Sequence, residues 1–204
     1  LGALIIPSFF ANGIQALRHG LATALKTVKQ FRIFLISGGV CLIVSAQFVL
    51  LLPPEVLFLL LGFPVTFFTF WQLIKINVFK IERSYEMEIL VGGFAGLIGG
   101  ISGIWGPPTV MYLTAIATAK SEQIRIQGVI YGLGAVALIA AHLGSGVLHS
   151  QVLTVSVLLV APTLLGFWIG DKFQDRINQA TFRRLTLYIL LVAGLNLMRR
   201  GLGG

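Results

Sequence analysis

Charged residues are scarce in this chain of 204 residues, where they make up 11% of the total. An ordinary soluble domain carries about a quarter charged residues. Hydrophobic residues reach 56% and the mean hydropathy is +0.93. The few charges are clustered, so the apolar runs between them are long enough to cross a bilayer. The composition argues against a water-soluble monomer and predicts a polytopic membrane protein that forms one helical bundle.

Cysteine is almost absent, because Cys41 is the only one and lies within an apolar run. A single cysteine excludes an internal disulfide and a metal site built from several cysteines. The sequence also lacks the motifs of zinc hydrolases, of nucleophile elbows and of phosphate-binding loops. We therefore expect no enzymatic activity, no cofactor and no bound metal.

Acidic residues number only seven, and the sequence indicates that all of them fall in turns or loops. They are Glu55, Glu82, Glu86, Glu88, Glu122, Asp171 and Asp175. We therefore expect no carboxylate at mid-membrane that could bind a cation or relay protons, which argues against a cation transporter. An interior of backbone amides and neutral polar side chains would suit an anion instead.

Basic residues give the chain a net charge of +8, which could also indicate nucleic-acid binding. The positive-inside rule explains this charge more simply. Thirteen of the fifteen Lys and Arg residues lie in four segments, residues 18–32, 75–88, 120–125 and 171–184. We expect no nucleic-acid partner, and we predict that these four loops are cytoplasmic and that the chain is a multi-pass protein of the inner membrane.

Apolar segments of mostly helical length predict an all-α transmembrane bundle, since a spanning helix needs about 20 residues. They cover roughly residues 1–22, 32–52, 55–74, 89–105, 107–119, 126–147, 152–170 and 185–198. The fourth and fifth are separated by Gly106-Pro107-Pro108, which cannot continue a helix. These two segments are therefore predicted to form a broken hairpin that returns to its starting side.

The order of helices is repeated within the chain. Residues 1–74 read as helix, loop, helix, turn and helix, and residues 126–198 repeat this order with the two sides exchanged. We predict a first repeat at 1–74, a cytoplasmic linker at 75–88 and a second repeat at 89–204. The first repeat lacks a counterpart of the broken hairpin, so we expect a hairpin before residue 1. Inverted repeats of this kind are typical of secondary transporters.

The broken hairpin is the strongest candidate for a functional site. From Gly92 to Gly103 glycines recur every four residues, a pattern typical of close helix packing. The helix breakers around Trp105 would instead leave backbone groups unpaired at membrane depth, which persists only beside protein or a water-filled cavity. If the next helix begins at the prolines, the free amides of Thr109 and Val110 would point into that cavity and favour an anion.

Neutral polar side chains in two other segments are candidates to line the same cavity. Asn12 and Gln15 share one face of the first segment, while Gln127 and Tyr131 lie one turn apart in the sixth. His142, further along the sixth segment, is a candidate carrier of a coupling proton. For each of these residues, the alternative is a hydrogen bond between helices.

The second half of the chain resembles the TauE/SafE family of sulfite and organosulfonate exporter-like membrane proteins. The resemblance lies in the glycine-rich helix leading into Gly103-Ile104-Trp105-Gly106-Pro107-Pro108, in Arg125-Ile126-Gln127-Gly128 and in Gly166-Phe167-Trp168-Ile169-Gly170. The first half is similar through Ile6-Pro7, Asn12, Gln15-Ala16-Leu17 and Leu52-Pro53-Pro54. It departs from the family pattern at its start, where the first glycine-rich hairpin and its proline are absent.

The resemblance implies a carrier of small sulfur-containing anions, often outward, across the bacterial inner membrane. It also implies that the break faces the substrate, opposite a polar face of Asn12 and Gln15, with Gln127 as a further candidate. The break residues are Gly103, Trp105, Gly106, Pro107 and Pro108. We expect a small anion and the lipid bilayer as partners, and a homo-oligomer is compatible with the sequence.

Two other functions fit the sequence. A non-transporting membrane scaffold or assembly protein would use the glycine pattern for helix packing alone, and its interior would hold no polar cavity. An anion channel would conduct without saturation. A cavity at the Gly106-Pro107-Pro108 break would separate the transporter from the scaffold.

Overall fold

The fold is known from a computed structural model that describes residues 2–48, 53–74, 81–103, 105–145, 150–174 and 176–203. The predicted turn around His149 and the first part of the 75–88 linker lie outside these residues. A 3-10 turn at Gly2–Leu4 comes first. The helices that follow are α1 (Ile5–Leu17), α2 (Leu21–Gln30), α3 (Arg32–Ala46), α4 (Pro54–Ile74), α5 (Tyr85–Ser102), α6 (Gly106–Ala115), α7 (Lys120–Ser145), α8 (Ser150–Leu158), α9 (Val160–Gln174) and α10 (Gln179–Gly201).

Several of these helices are long and apolar enough to cross a membrane. By length and composition, four stretches of the described chain qualify: α4, most of α7, residues Val152–Gly170 of α8 and α9, and α10. The bent pair α2 and α3 raises the number to as many as five when it is taken as one span. The predicted all-α, polytopic architecture is confirmed.

One predicted loop is largely helical. Residues 18–32 contain α2, which begins after Gly20 and meets α3 at an angle of 79° next to Phe31. Gly20 has a φ of 85°, a left-handed conformation that glycine adopts without steric cost. Leu21 and Leu25 are exposed on α2, and its two lysines lower the hydropathy of the segment. Hydropathy therefore could not separate this amphipathic helix from a basic loop.

Polar first turns also hid the true starts of α5 and α10. The hydroxyl of Ser84 accepts a hydrogen bond from the N–H of Met87 at 3.2 Å, and thereby caps α5. The side chain of Asn178 accepts one from the N–H of Thr181 at 2.8 Å and caps α10. With this cap α10 reaches 23 residues, so the short segment predicted at 185–198 underestimates it.

The predicted segment 152–170 is divided at Leu159 into α8 and α9. Pro162 has no backbone N–H, so one helical hydrogen bond is missing there. The bond from the N–H of Leu159 to the carbonyl of Val155, at 3.0 Å, and the bond from the N–H of Thr163 to the carbonyl of Leu159, at 3.2 Å, carry the chain across the division. The two helices therefore follow each other as one interrupted apolar stretch.

Three helix pairs account for most of the packing: α3 with α5, α4 with α10, and α1 with α7. Glycines allow the helices of the first pair, α3 and α5, to pack closely. Gly96 lies against the backbone of Gly38, and a Cβ atom at Gly92 would come within 2.7 Å of the carbonyl oxygen of Phe34. The predicted packing role of the glycine pattern is confirmed by these contacts.

The four predicted basic segments meet at one end of the bundle, which we call the basic end. They are joined by hydrogen bonds between Arg83 and Gln30, between Arg125 and Thr27, and between Lys120 and Ile177. At the opposite end α10 finishes beside the start of α4, where the Arg200 guanidinium lies 4.5 Å from the ring centre of Phe58. The C-terminal arginines are thus separate from the basic end.

Candidate functional site

The break between α5 and α6 is built from glycine and proline. Gly103, which follows α5, has a φ of 69° that other residues rarely adopt. Trp105 then caps α6, whose first turn contains Pro107 and Pro108. Proline suits this position because its fixed φ is helical and the first turn needs no N–H donor there.

The hairpin returns to its starting side, as the sequence predicts. The N–H of Ile81, which precedes α5, donates a hydrogen bond of 3.1 Å to the carbonyl of Ala115, the last residue of α6. With ten residues α6 is short. Its length of about 15 Å is half of a hydrocarbon core of about 30 Å. The break is therefore deep within the bundle, while both ends of the hairpin lie at the basic end.

The start of α6 decides which backbone donors are free. Because α6 begins at Gly106, the N–H of Thr109 bonds to the carbonyl of Trp105 at 3.4 Å. Val110 is already the fifth helical residue, so its N–H belongs to the helical ladder. The prediction that the amides of Thr109 and Val110 are free is therefore wrong. The prolines carry no N–H, so Gly106 supplies the donor of the first turn, and the positive end of the α6 dipole stays at the break.

Two hydroxyl groups bond to backbone carbonyls at the start of α6. The hydroxyl of Tyr131 on α7 donates to the carbonyl of Gly106 at 3.1 Å. The hydroxyl of Thr109 donates to the carbonyl of Trp105 at 3.0 Å. Irregular backbone at membrane depth is tolerated only when its polar groups find such partners.

The indole of Trp105 lies between two glycines on different helices. A Cβ atom at Gly99 of α5 would come within 2.7 Å of the indole ring, and one at Gly134 of α7 within 3.2 Å. Trp105 also packs against the apolar clusters that contain Phe34 and Leu138. The two glycines are therefore needed to seat the tryptophan that positions the break.

A cavity of about 180 Å³ lies beside the break, between α3, α5 and α7. Trp105 and Thr109 form its wall at the break, and Gly39, where a Cβ atom would meet nothing within 4 Å, leaves space open on α3. Most of the other side chains around it are apolar. One water in the liquid occupies about 30 Å³, so the cavity has room for a small oxyanion.

Asn12 and Gln15 lie on α1, where it packs against α7. The side-chain amide of Asn12 donates to the carbonyl of Ser8 in its own helix at 2.8 Å. That of Gln15 donates to the carbonyl of Ile124 in the first turns of α7. The contacts described for these two residues are thus with α1 and α7 and not with the break. Their role as substrate ligands stays a prediction.

Two further candidates lie on α7. Gln127 is half-buried one turn before Tyr131, on the side of α7 that carries the hydrogen bond to the break. Its part in substrate binding also stays a prediction. His142 belongs to the last turns of α7, and its side chain lies outside the described residues.

A buried carboxylate, Glu88, is a feature that sequence reasoning missed. Glu88 lies in the first turns of α5 and is 2% exposed. One of its oxygens lies 2.6 Å from the guanidinium of Arg83, and the other accepts the N–H of Phe34 at 3.3 Å, which caps α3. The spacing of Glu88 and Gly92, four residues apart, was the available signal, because it places Glu88 on the face that packs against α3.

The assignment of all acidic residues to turns and loops is therefore wrong. Besides Glu88, first helical turns hold Glu55, Glu86 and Glu122. A carboxylate in a first turn is stabilised by the positive end of the helix dipole. Glu86 and Glu122 thus belong to α5 and α7, which begin earlier in the chain than hydropathy alone predicts. None of the described residues that line the cavity at the break is acidic.

Comparison with known proteins identifies the family. The sulfite exporter TauE/SafE family matches residues 1–197 of the chain, a range that includes the break and the helices around it. The chain therefore belongs to this family, as its resemblance to the family indicates. No curated protein and no solved structure matches the chain significantly.

Proposed function

We propose that this member of the TauE/SafE family is a secondary transporter that exports small sulfur-containing anions, such as sulfite or organosulfonates, across the inner membrane. The family consists of membrane transporters. The transported anion, the outward direction and the location in the inner membrane are our proposal. The observation that carries the proposal is the cavity of about 180 Å³ beside the first turn of α6.

The electrostatics of the break favour an anion. The N-terminus of α6 carries partial positive charge, and a low-dielectric interior strengthens its attraction for a negative ion. The described residues around the cavity include no charged side chain, so a cation would meet no counter-charge there. A small oxyanion in the cavity would lie against the wall formed by Trp105 and Thr109, at the N-terminal end of α6.

The helix pairing supports a division into two inverted repeats, 1–74 and 89–204, joined by the linker 75–88. The first of the three shared helices in each repeat, α1 and α7, pack against each other, as do the last, α4 and α10. Both pairs are antiparallel. In the second pair, Gly62 approaches Met198 and Gln72 bonds to Arg183. A two-fold axis in the membrane plane would pair equivalent helices in this way.

The cavity at the break favours a transporter over a scaffold. A scaffold that used glycine only for helix packing would have no reason to keep open space beside Trp105 and Thr109. An anion channel would share the cavity, but its flux would rise with concentration without saturation.

Flux of labelled sulfite through proteoliposomes that contain the full chain tests the proposal. We expect saturable flux along an imposed gradient, and we expect Gly106→Leu to abolish it by filling the space next to the Tyr131 hydroxyl, which lies 3.8 Å from a Cβ atom at this position. Gly166→Leu is the matched control, because a Cβ atom there meets nothing within 4 Å. Wild-type flux equal to that of empty liposomes would refute the function.

A further inference from the structure

A second cavity, of about 370 Å³, lies at the basic end. It is formed where α6 ends and where α7 and α10 begin, and we call it the basic-end pocket. Each of these three parts supplies a polar residue to its lining: Thr114 near the end of α6, Gln123 near the start of α7 and Arg183 near the start of α10. Ala117 and Ala180 are small and leave the space between them open.

These three polar side chains carry buried atoms that have no hydrogen-bond partner within the described chain. The atoms are Oγ1 of Thr114, Nε2 of Gln123 and Nε of Arg183. Thr114 is 5% exposed and Gln123 is 3% exposed. Buried polar atoms in proteins are nearly always hydrogen-bonded. These two N–H donors and the hydroxyl belong to residues that line one cavity, and their lack of partners indicates a ligand rich in acceptor oxygens.

The charge of Arg183 points to an anionic ligand. One terminal nitrogen of its guanidinium donates to the side-chain oxygen of Gln72 at 2.9 Å, and this partner is neutral. Among the described residues that line the pocket, none is acidic. A partly buried cation without a counter-charge is unfavourable, and the guanidinium fork matches two oxygens of one oxyanion.

The end of α6 does not cancel this attraction, because its carbonyls are already bonded. The N–H of Thr118 donates to the carbonyl of Leu113, and that of Ala117 to the carbonyl of Thr114, both at 3.1 Å. The carbonyl of Ala115 accepts the N–H of Ile81. The negative end of the helix is thus engaged by backbone N–H groups, and none of these bonds uses a side-chain donor of Thr114, Gln123 or Arg183.

We propose that the basic-end pocket binds a small oxyanion through the guanidinium of Arg183, the carboxamide of Gln123 and the hydroxyl of Thr114. The assignment of this ion to the transported substrate class rests on the proposed function. The pocket is then the site that the anion occupies before it reaches the break. The helix α6 connects the two sites, with Gly106 at one end and Thr114 near the other, about 12 Å apart along the helix axis.

Binding of labelled sulfite to the purified full chain in nanodiscs tests the pocket. We expect Arg183→Gln to weaken binding by about tenfold or more, because a charged donor is lost. The neighbouring Arg184 is exposed, so Arg184→Gln is the matched control and should change the affinity by less than about twofold. Equal sulfite affinities of the two variants would overturn the proposal.

A second substitution keeps the test decisive if the Arg183 variant does not fold. Gln123→Met preserves the size of the side chain and removes its donor. We expect sulfite binding to weaken by about fivefold, with thermal unfolding close to that of the wild type. A folded Gln123→Met variant with unchanged sulfite affinity would refute the pocket.

Competition identifies the source of the oxyanion. Displacement of labelled sulfite by methanesulfonate but not by inorganic phosphate would support the substrate class. Equal displacement by phosphate, together with loss of sulfite binding when phosphatidylcholine in the nanodiscs is replaced by phosphatidylglycerol, would assign the pocket to lipid phosphate and overturn the substrate assignment.

Flux measurements separate failure of the pocket from failure of the proposed function. If wild-type proteoliposomes move no sulfite while sulfite binding still depends on Arg183, the proposed transport function is refuted and the pocket is supported. If the wild type transports sulfite and Arg183→Gln equals Arg184→Gln in both sulfite binding and flux, the pocket is refuted and the transport function is supported.

Discussion

The hydroxyl of Tyr131 donates a hydrogen bond of 3.1 Å to the carbonyl of Gly106, and so connects α7 to the first residue of α6. Tyr131→Phe removes this connection and little else. We expect a loss of about 1 kcal/mol in the free energy of unfolding and a several-fold lower sulfite flux. Tyr188 is 56% exposed, so Tyr188→Phe serves as the control. Unchanged flux in Tyr131→Phe would show that the hydrogen bond does not position the break.

The seat of Trp105 gives a second prediction. In Gly99→Ala the new methyl group would lie 2.7 Å from the indole, so the ring must move or the helices must separate. We expect a destabilisation of about 1–3 kcal/mol, as for other overpacked sites, and a smaller effect for Gly134→Ala, where the distance is 3.2 Å. Thermal unfolding measures both. The reverse order of the two variants would contradict the described position of the ring.

Contact between α3 and α5 gives a third prediction. Gly96→Ala would press a methyl group into the backbone of Gly38, where no side chain can turn away. We expect the free energy of unfolding to fall by about 1–3 kcal/mol or more. Gly13→Ala in α1 is the control, because a Cβ atom there meets nothing within 4 Å. In open space alanine stabilises a helix over glycine by roughly 0.5–1 kcal/mol, so the two variants should shift thermal unfolding in opposite directions.

The buried carboxylate gives a fourth prediction. Glu88→Ala would leave the N–H of Phe34 without its side-chain acceptor and the guanidinium of Arg83 without its buried partner. A buried donor left unsatisfied costs about 1–3 kcal/mol. Glu88→Gln keeps an acceptor for Phe34 and should cost less. Glu86 is exposed, so Glu86→Ala loses only its interaction with the helix N-terminus and should lower the thermal stability less than Glu88→Ala. An equal effect of the Glu86 and Glu88 substitutions would contradict the described burial.

The break could be predicted from sequence because its chemistry is local. Glycine and proline restrict the backbone at their own positions, so Gly103 and the two prolines define the end of one helix and the start of the next. The glycine pattern from Gly92 onward likewise indicates its own packing face. The prediction that the amides of Thr109 and Val110 are free was wrong, because it assumed that α6 begins at one of the prolines. The helix begins at Gly106, and this changes which amides are free.

The basic-end pocket could not be predicted, because it depends on contacts between distant parts of the chain. Arg183 and Gln123 are sixty residues apart, and no periodicity brings their side chains to one cavity. The helix α2 was missed for a different reason, because its two lysines match a cytoplasmic loop as well as they match a helix. Gln15 bonds to the carbonyl of Ile124 and not to the break. This contact depends on how α1 packs against α7, which the sequence pattern does not indicate.

The chain has three tryptophans, and the seat of Trp105 makes it distinct from the other two as an optical probe. Trp71 is 40% exposed and Trp168 is 57% exposed, so brominated lipid or an aqueous quencher should reach both of them more readily than the half-buried indole of Trp105. The fluorescence that survives quenching then originates beside the cavity. Its emission wavelength reports, without an added label, whether water or an ion occupies the break.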